Sequence, residues 1–226
     1  MRAEARPPRR KWPWIVAGVA CLTLVVGGAV WYGGRTIAAP TPTASPEASS
    51  APVSPESSDL EPTGCLGGEA RDAGMVLAAQ EEAPHNSGGA VEFATALFRW
   101  MHQHPVPDAA DVAEVEAAAL AEGSPYDLTA AYATNPNTSG ALVPDGTNYY
   151  LSTVPGVWNL EDYADAEATV TVGAGVVIDG ELHPTFRMAK TYTLVWEDGH
   201  WTFEQASLDR TTEELFSIGT PYTGGC

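Results

Sequence analysis

Positive charge is scarce in this chain of 226 residues: two lysines and nine arginines stand against 29 acidic residues, for a formal net charge of −18. A surface that holds nucleic acid needs clustered Lys and Arg to displace counterions from phosphates, so the composition excludes a nucleic-acid partner. Cysteine is scarce too, three in all, which excludes a disulfide-dense scaffold. The motifs that carry chemistry are missing. No serine sits in a nucleophile elbow, no glycine loop is spaced to cradle phosphates, and no acidic stretch follows the calcium-loop pattern. His102 and His104 are two residues apart at a helix end and point to different sides, which is poor geometry for a shared metal. His85 falls in a loop, and His183 and His200 in turns. Asn137-Thr138-Ser139 has glycosylation spacing but reads as a loop. No cofactor, no metal and no catalytic residue is expected, and the chain reads as a non-enzyme.

What is present is unevenly placed. Residues 1–35 carry Arg2, Arg6, Arg9, Arg10, Lys11 and Arg35 against Glu4 alone, leaving −23 for the remainder. From Trp14 to Tyr32 the chain reads WIVAGVACLTLVVGGAVWY without a charge. At about 1.5 Å per residue this run spans roughly 28 Å, the thickness of a bilayer's hydrocarbon core. Trp12, Trp14, Trp31 and Tyr32 flank it as interfacial aromatics, and the basic cluster before it stays on the cytoplasmic side. The expectation is a basic cytoplasmic N-terminus over 1–13, a single-pass transmembrane helix over 14–32 and an extracytoplasmic remainder anchored in the cell membrane. A signal peptide cleaved after Ile37-Ala38-Ala39 is the competing reading; Pro40 and the length of the apolar run argue against it. Residues 33–64 hold six prolines and six serines with almost no large apolar side chain. They read as a linker, extended and unable to bury enough surface to offset its ordering entropy.

Residues 65–226 are enough for one exported domain with its own core. Cys65 and Cys226 are the only cysteines beyond the membrane run. In an oxidising compartment they are expected to form one disulfide, free or intermolecular thiols being the alternative. The first half has helical spacing. Val91, Ala94, Phe98 and Met101 recur over Gly89 to about His104, where Pro105 ends the run. Asp108 caps a second helix that reaches Gly123, and Ser124-Pro125 with Asp127 opens a short third one to about Thr134. The second half switches to a period of two. Tyr149–Leu151 is a strand, Ala166, Ala168, Val170 and Val172 alternate with polar residues, and Gly175–Ile178 forms a further short strand. Phe186, Met188, Tyr192, Leu194 and Trp196 face one way along a long strand, and Lys190 interrupts that apolar side. Asp198-Gly199 between aromatic strands marks a hairpin to Trp201-Thr202-Phe203. The fold class expected is α+β, helices first and a curved antiparallel sheet after.

The segment GGAVEFATALFRW followed by strands ending in TYTLVWEDGHWTF resembles nuclear transport factor 2-like domains, over roughly residues 85–207. In that cone-shaped fold, helices pack into the concave face of a bent sheet. The long, turn-rich stretch 135–146 and the tail 208–226 depart from it. The layout of basic start, span, linker and cone resembles that of the bitopic assembly proteins of type IV secretion and conjugation machines, and of actinobacterial exported proteins; the Arg-over-Lys, Ala- and Gly-rich usage agrees with a GC-rich genome. The resemblance implies an assembly or scaffold component of an envelope machine, with envelope or secretion proteins, or further copies of itself, as partners. The alternative it implies is a domain that binds a small ligand in the cone, in a cavity lined by Phe98, Trp100, Tyr192 and Trp196. Tyr126, Tyr132 and Tyr150 are further candidates for its walls. Some members of the fold are enzymes with an acid or base inside the cone. Asp165 and Glu167 do not take that role here, because the strand alternation sets them opposite the apolar set.

Overall fold

The computed structural model describes residues 61–226. The stretches expected to form a basic N-terminus, a transmembrane helix and the linker up to residue 60 lie outside the described residues. No helix among the described residues is long and apolar enough to cross a membrane.

Among the described residues, five helices and five strands follow the order α1 (Ala73–Glu82), α2 (Ser87–Met101), α3 (Ala109–Ala119), α4 (Leu128–Thr134), β1 (Tyr149–Ala164), β2 (Glu167–Ile178), β3 (Glu181–Glu197), β4 (His200–Ser207), α5 (Thr212–Ile218) and β5 (Thr220–Pro221). The expected α+β arrangement with a curved antiparallel sheet is present. Each of the first four helices starts on an acidic or amide side chain that accepts from an otherwise unpaired amide of the first turn. Asp72 accepts from Met75, Asn86 from Gly89, Asp108 from Ala110 and Asp111, and Asp127 from Ala130. α5 opens with a capping box between Thr211 and Glu214. α2 stops at Met101 rather than near His104. The residue before a proline is pushed towards extended backbone, and His104 pairs with Tyr149 at the start of β1.

The sheet runs β4-β3-β2-β1-β5, with every neighbouring pair antiparallel. Two of its hairpins turn on Asp-Gly pairs, Asp179-Gly180 and Asp198-Gly199, whose four residues all have positive φ. That is the mirror-image turn whose twist matches the strands it joins. The two pieces expected within 166–178 are one continuous strand, β2. Gly173 and Gly175 interrupt the apolar signal but are themselves paired in the sheet, with Ala189 and Arg187 of β3. Register shifts between Ser152 and Gly156, around the proline at position 155, and between Gly175 and Val177 bend the sheet across its middle strands.

The core lies between the helices and one face of this sheet. Ala168, Val170, Val172, Ala174 and Val176 of β2 are buried there with Phe93, Leu97, Phe98 and Trp100 of α2. The opposite face is covered by α5: a side chain at Gly173 would meet Leu215 and Phe216 within 3 Å, so glycine lets the helix lie close. The tail 208–226 therefore closes the second face of the sheet. Arg210 of this tail grips Glu161 of β1, whose carboxyl also accepts from Thr171. The bonds from Arg210 hold the Glu161 carboxyl well below the usual range, at about 2.

α2 is buried on all sides, yet it carries Glu92, Thr95 and Arg99. These residues share one face through i, i+3 and i+7 spacing, and they organise the two ends of the described chain. Glu92 accepts from the Thr63 hydroxyl at 2.7 Å and from the amides of Thr63, Gly64 and Leu66. Thr95 donates to the Val91 carbonyl and accepts from the Tyr222 hydroxyl at 2.8 Å. Arg99 donates to the Gly68 carbonyl at 3.0 Å, and burial together with the nearby Arg71 charge lowers its pKa to about 10. Beside this cluster Cys65 and Cys226 are disulfide-bonded, with Cα atoms 5.5 Å apart.

Candidate functional site

A cavity of about 510 Å³ lies between the end of α2, helix α4 and the middle of β3. Its volume falls within the usual range of small-molecule sites. Three local features create it. α2 ends at Met101 and turns away, so Met101 and His102 form one wall. α4 supplies Leu128, Ala131 and Tyr132 as the opposing wall, and the alternation along β3 turns Met188, Lys190 and Tyr192 inward to form the floor. Leu208 contributes to the lining while 76% exposed, which places it at the mouth.

The polar groups of this cavity differ in how they are committed: Thr134 donates to the Ala130 carbonyl and Thr138 is bonded to the Tyr149 hydroxyl, while Asn135 also lines the wall. The Tyr192 hydroxyl faces the Met101 sulfur at 3.9 Å, and the Tyr132 hydroxyl donates to the Met101 carbonyl at 3.4 Å. Burial pushes both phenols up. The Nδ1 atom of His102 lies 3.1 Å from the Phe98 carbonyl. A carbonyl can only accept, so Nδ1 carries the hydrogen and Nε2 is left with its lone pair. Burial pushes His102 down to about 4, and the Lys190 charge pushes the same way. The ring is therefore neutral at neutral pH. Lys190 is half-buried with its pKa lowered by desolvation. None of the lining residues is acidic.

The four residues expected around a cone cavity are dispersed. Tyr192 lines the cavity. Phe98 sits behind it, fully buried, with its ring 4.9 Å from His102 and 6.3 Å from Tyr192. Trp100 is buried against Tyr132 at 6.1 Å, and it is absent from the lining. Trp196 lies further along β3, stacked on His85 at 4.1 Å and edge-on to Trp201 at 5.2 Å. Of the other tyrosines, Tyr126 and Tyr132 line the cavity, whereas Tyr150 lies under the Arg71 guanidinium at 3.9 Å. His104 borders a separate cavity of about 150 Å³ with Asn137, Asp145 and Tyr149. There the Asn137 amide bonds the Val143 carbonyl and Asp145, tying the 135–146 loop together. Among the described residues, no group of three His, Cys, Asp or Glu side chains is placed to hold a metal ion. Asp165 and Glu167 are exposed beside the β1–β2 turn.

The sequence reading missed His102 and Lys190 as cavity groups. The available signal was Lys190 itself, a charge on the apolar side of a strand. Compared with known proteins, the chain matches no family model, no curated protein and no solved structure.

Proposed function

We propose that residues 61–226 form a binding domain that holds a small, largely apolar molecule in the cavity between α2, α4 and β3, without catalysis. The observation that carries this reading is the cavity itself: about 510 Å³, with walls of Met, Leu, Ala and aromatic side chains interspersed with placed polar groups, the usual composition of a ligand site. The helices against a bent antiparallel sheet support reading the domain as a nuclear transport factor 2-like cone. The charge-free run Trp14–Tyr32 and the basic residues before it support a single-pass anchor with this domain outside the membrane. The Cys65–Cys226 pair supports an oxidising compartment.

The test uses two methionine methyls as reporters. The chain has four methionines: Met1, Met75, Met101 and Met188. Met101 and Met188 line the cavity, while Met75 is buried in α1 outside it. With methyl-labelled full-length protein in nanodiscs, 1-octanol is expected to shift the Met101 and Met188 resonances saturably and leave Met75 in place. Unmoved Met101 and Met188 resonances at saturating probe would overturn the reading.

A second reading, an assembly component of an envelope machine of the conjugation type, is favoured by a different surface. Val154 and Leu182 are 57% and 46% exposed. Pro155 and Leu182 come together over Gly175, and Val154 lies apart from them against Gly225 of the C-terminal tail, so Val154 and Leu182 are both exposed apolar points of the sheet. In-membrane crosslinking from position 154 is expected to recover another envelope protein or a second copy; a solitary, uncrosslinked chain would count against this reading.

A further inference from the structure

The cavity holds a charge that the fold does not neutralise. Residues 61–226 contain 25 acidic and five basic residues, and Lys190 is their only lysine. Each of the four arginines has a partner. Arg71 lies over Tyr150, Arg99 donates through Nη1 to the Gly68 carbonyl although its Nε and Nη2 meet no acceptor, Arg187 lies over Phe216, and Arg210 is paired with Glu161. Lys190 is the one basic side chain among the described residues with neither an ion pair nor a hydrogen bond nor a ring beneath it. It projects from β3 into a hollow lined by Met101, Leu128, Ala131 and Met188, with no carboxylate in the lining.

A half-buried ammonium in such surroundings loses hydration without gaining a counter-charge, an arrangement that is unfavourable until something supplies the charge. A surface lysine could have met any of the many acidic residues in solvent; this one stands where none of them lines the wall. Of the neutral polar side chains that also line the hollow, Asn135, Thr134, Thr138 and the tyrosines among them, His102 has Nδ1 committed to the Phe98 carbonyl and leaves Nε2 as an acceptor. The neutral ring adds no second positive charge. A single ammonium among neutral polar groups matches a singly charged head better than a phosphate dianion, which favours several cations or a planar guanidinium fork.

Resting on the reading of this cavity as a ligand site, we propose that its ligand is an anionic amphiphile, a carboxylate on an apolar chain, with the head on the Lys190 ammonium and the chain along Met101, Leu128 and Met188. A hydroxyl near the head would find its acceptor at His102 Nε2. The excess negative charge of the domain repels anions from its outer surface, so recognition depends on desolvating the head at Lys190.

The experiment compares octanoate, 1-octanol and octylammonium by titration of the Met101 and Met188 methyl resonances in the full-length protein, with Met75 as internal control. Octanoate is expected to bind at least tenfold more tightly than 1-octanol, and octylammonium more weakly than either. Lys190→Met, which keeps the length and removes the charge, is expected to bring octanoate to the level of 1-octanol. Equal binding of octanoate and 1-octanol by the unmodified protein overturns the carboxylate assignment and leaves the cavity reading standing. Absence of any shift with all three probes overturns both. The comparison of the three probes on the unmodified protein needs no variant, so a Lys190→Met chain that failed to fold would leave the outcome decided.

Discussion

Glu92→Ala is expected to lower the unfolding free energy by about 3–5 kcal/mol, read from urea titration of tryptophan fluorescence. Glu92 is 1% exposed. Its two oxygens accept from the Thr63 hydroxyl and from the amides of Thr63, Gly64 and Leu66. Bonds to a charged acceptor contribute about 1.5–3 kcal/mol each, and a buried donor left without a partner costs on the order of 1–3 kcal/mol. Water can reach Thr63 and Leu66, which are only part-buried, so two full contributions are a fairer sum than four. Glu92→Gln keeps one acceptor but turns an NH₂ group towards amide donors, so it should fall between wild type and Glu92→Ala. A Glu92→Ala chain within about 1 kcal/mol of wild type would show that the entry segment is held by something else.

Loss of the Cys65–Cys226 bond is the second large effect expected. The two cysteines are 161 residues apart in sequence, and removing such a link from a small domain costs about 2–5 kcal/mol, chiefly by freeing the unfolded chain. Cys226→Ser and reduced wild type should have the same urea midpoint, both below the oxidised protein; coincidence of all three would sink the expectation. The two perturbations should not add. Cys226 donates its amide to Thr153 Oγ1 at 2.9 Å, and Thr153 donates to the Gly64 carbonyl at 3.1 Å. Gly64 is in turn bonded to Glu92. Residues that share partners in this way show coupling in double-mutant cycles, so Glu92→Ala combined with Cys226→Ser should cost less than the sum.

Local chemistry was legible in the sequence wherever one residue type settles a backbone geometry. Asp198-Gly199 marks its hairpin because both residues must adopt positive φ, and Asp108 marks a helix start because it satisfies first-turn amides; at α4 the cap is Asp127 rather than the expected Ser124, so that helix starts three residues later. α1 was silent because AGMVLAAQEE is rich in small residues and its apolar residues are not confined to the buried face: Leu77 and Ala78 lie away from Met75, Val76 and Ala79, which blurs any stripe. The outer half of β1 was silent because Asn159, Glu161 and Asp162 belong to its half-buried and exposed stretch. α5 and β5 gave only a short, polar signal.

For the cavity, Tyr192 was legible from the strand's period of two, whereas Phe98 and Trp100 could not be told apart as lining or core. In a helix buried all round, periodicity distinguishes no face. Glu92 and Arg99 were hidden by their apolar neighbours, although their spacing with Thr95 was there to be read. Lys190 was visible as an interruption. That a hollow lies in front of it depends on where α2 stops and where α4 returns, and both are properties of the assembled chain.

The Cys65–Cys226 bond also changes what the domain is as a molecular graph: residues 65–226 form a closed ring rather than a strand with two ends. A protease that cuts once within the long loop 135–146 would open the ring without releasing a fragment. The nicked protein would then migrate as one species until a thiol is added and as two afterwards. Tolerance of a single cut is therefore built into the connectivity, and helices α1–α4 would remain leashed to the sheet that carries Lys190.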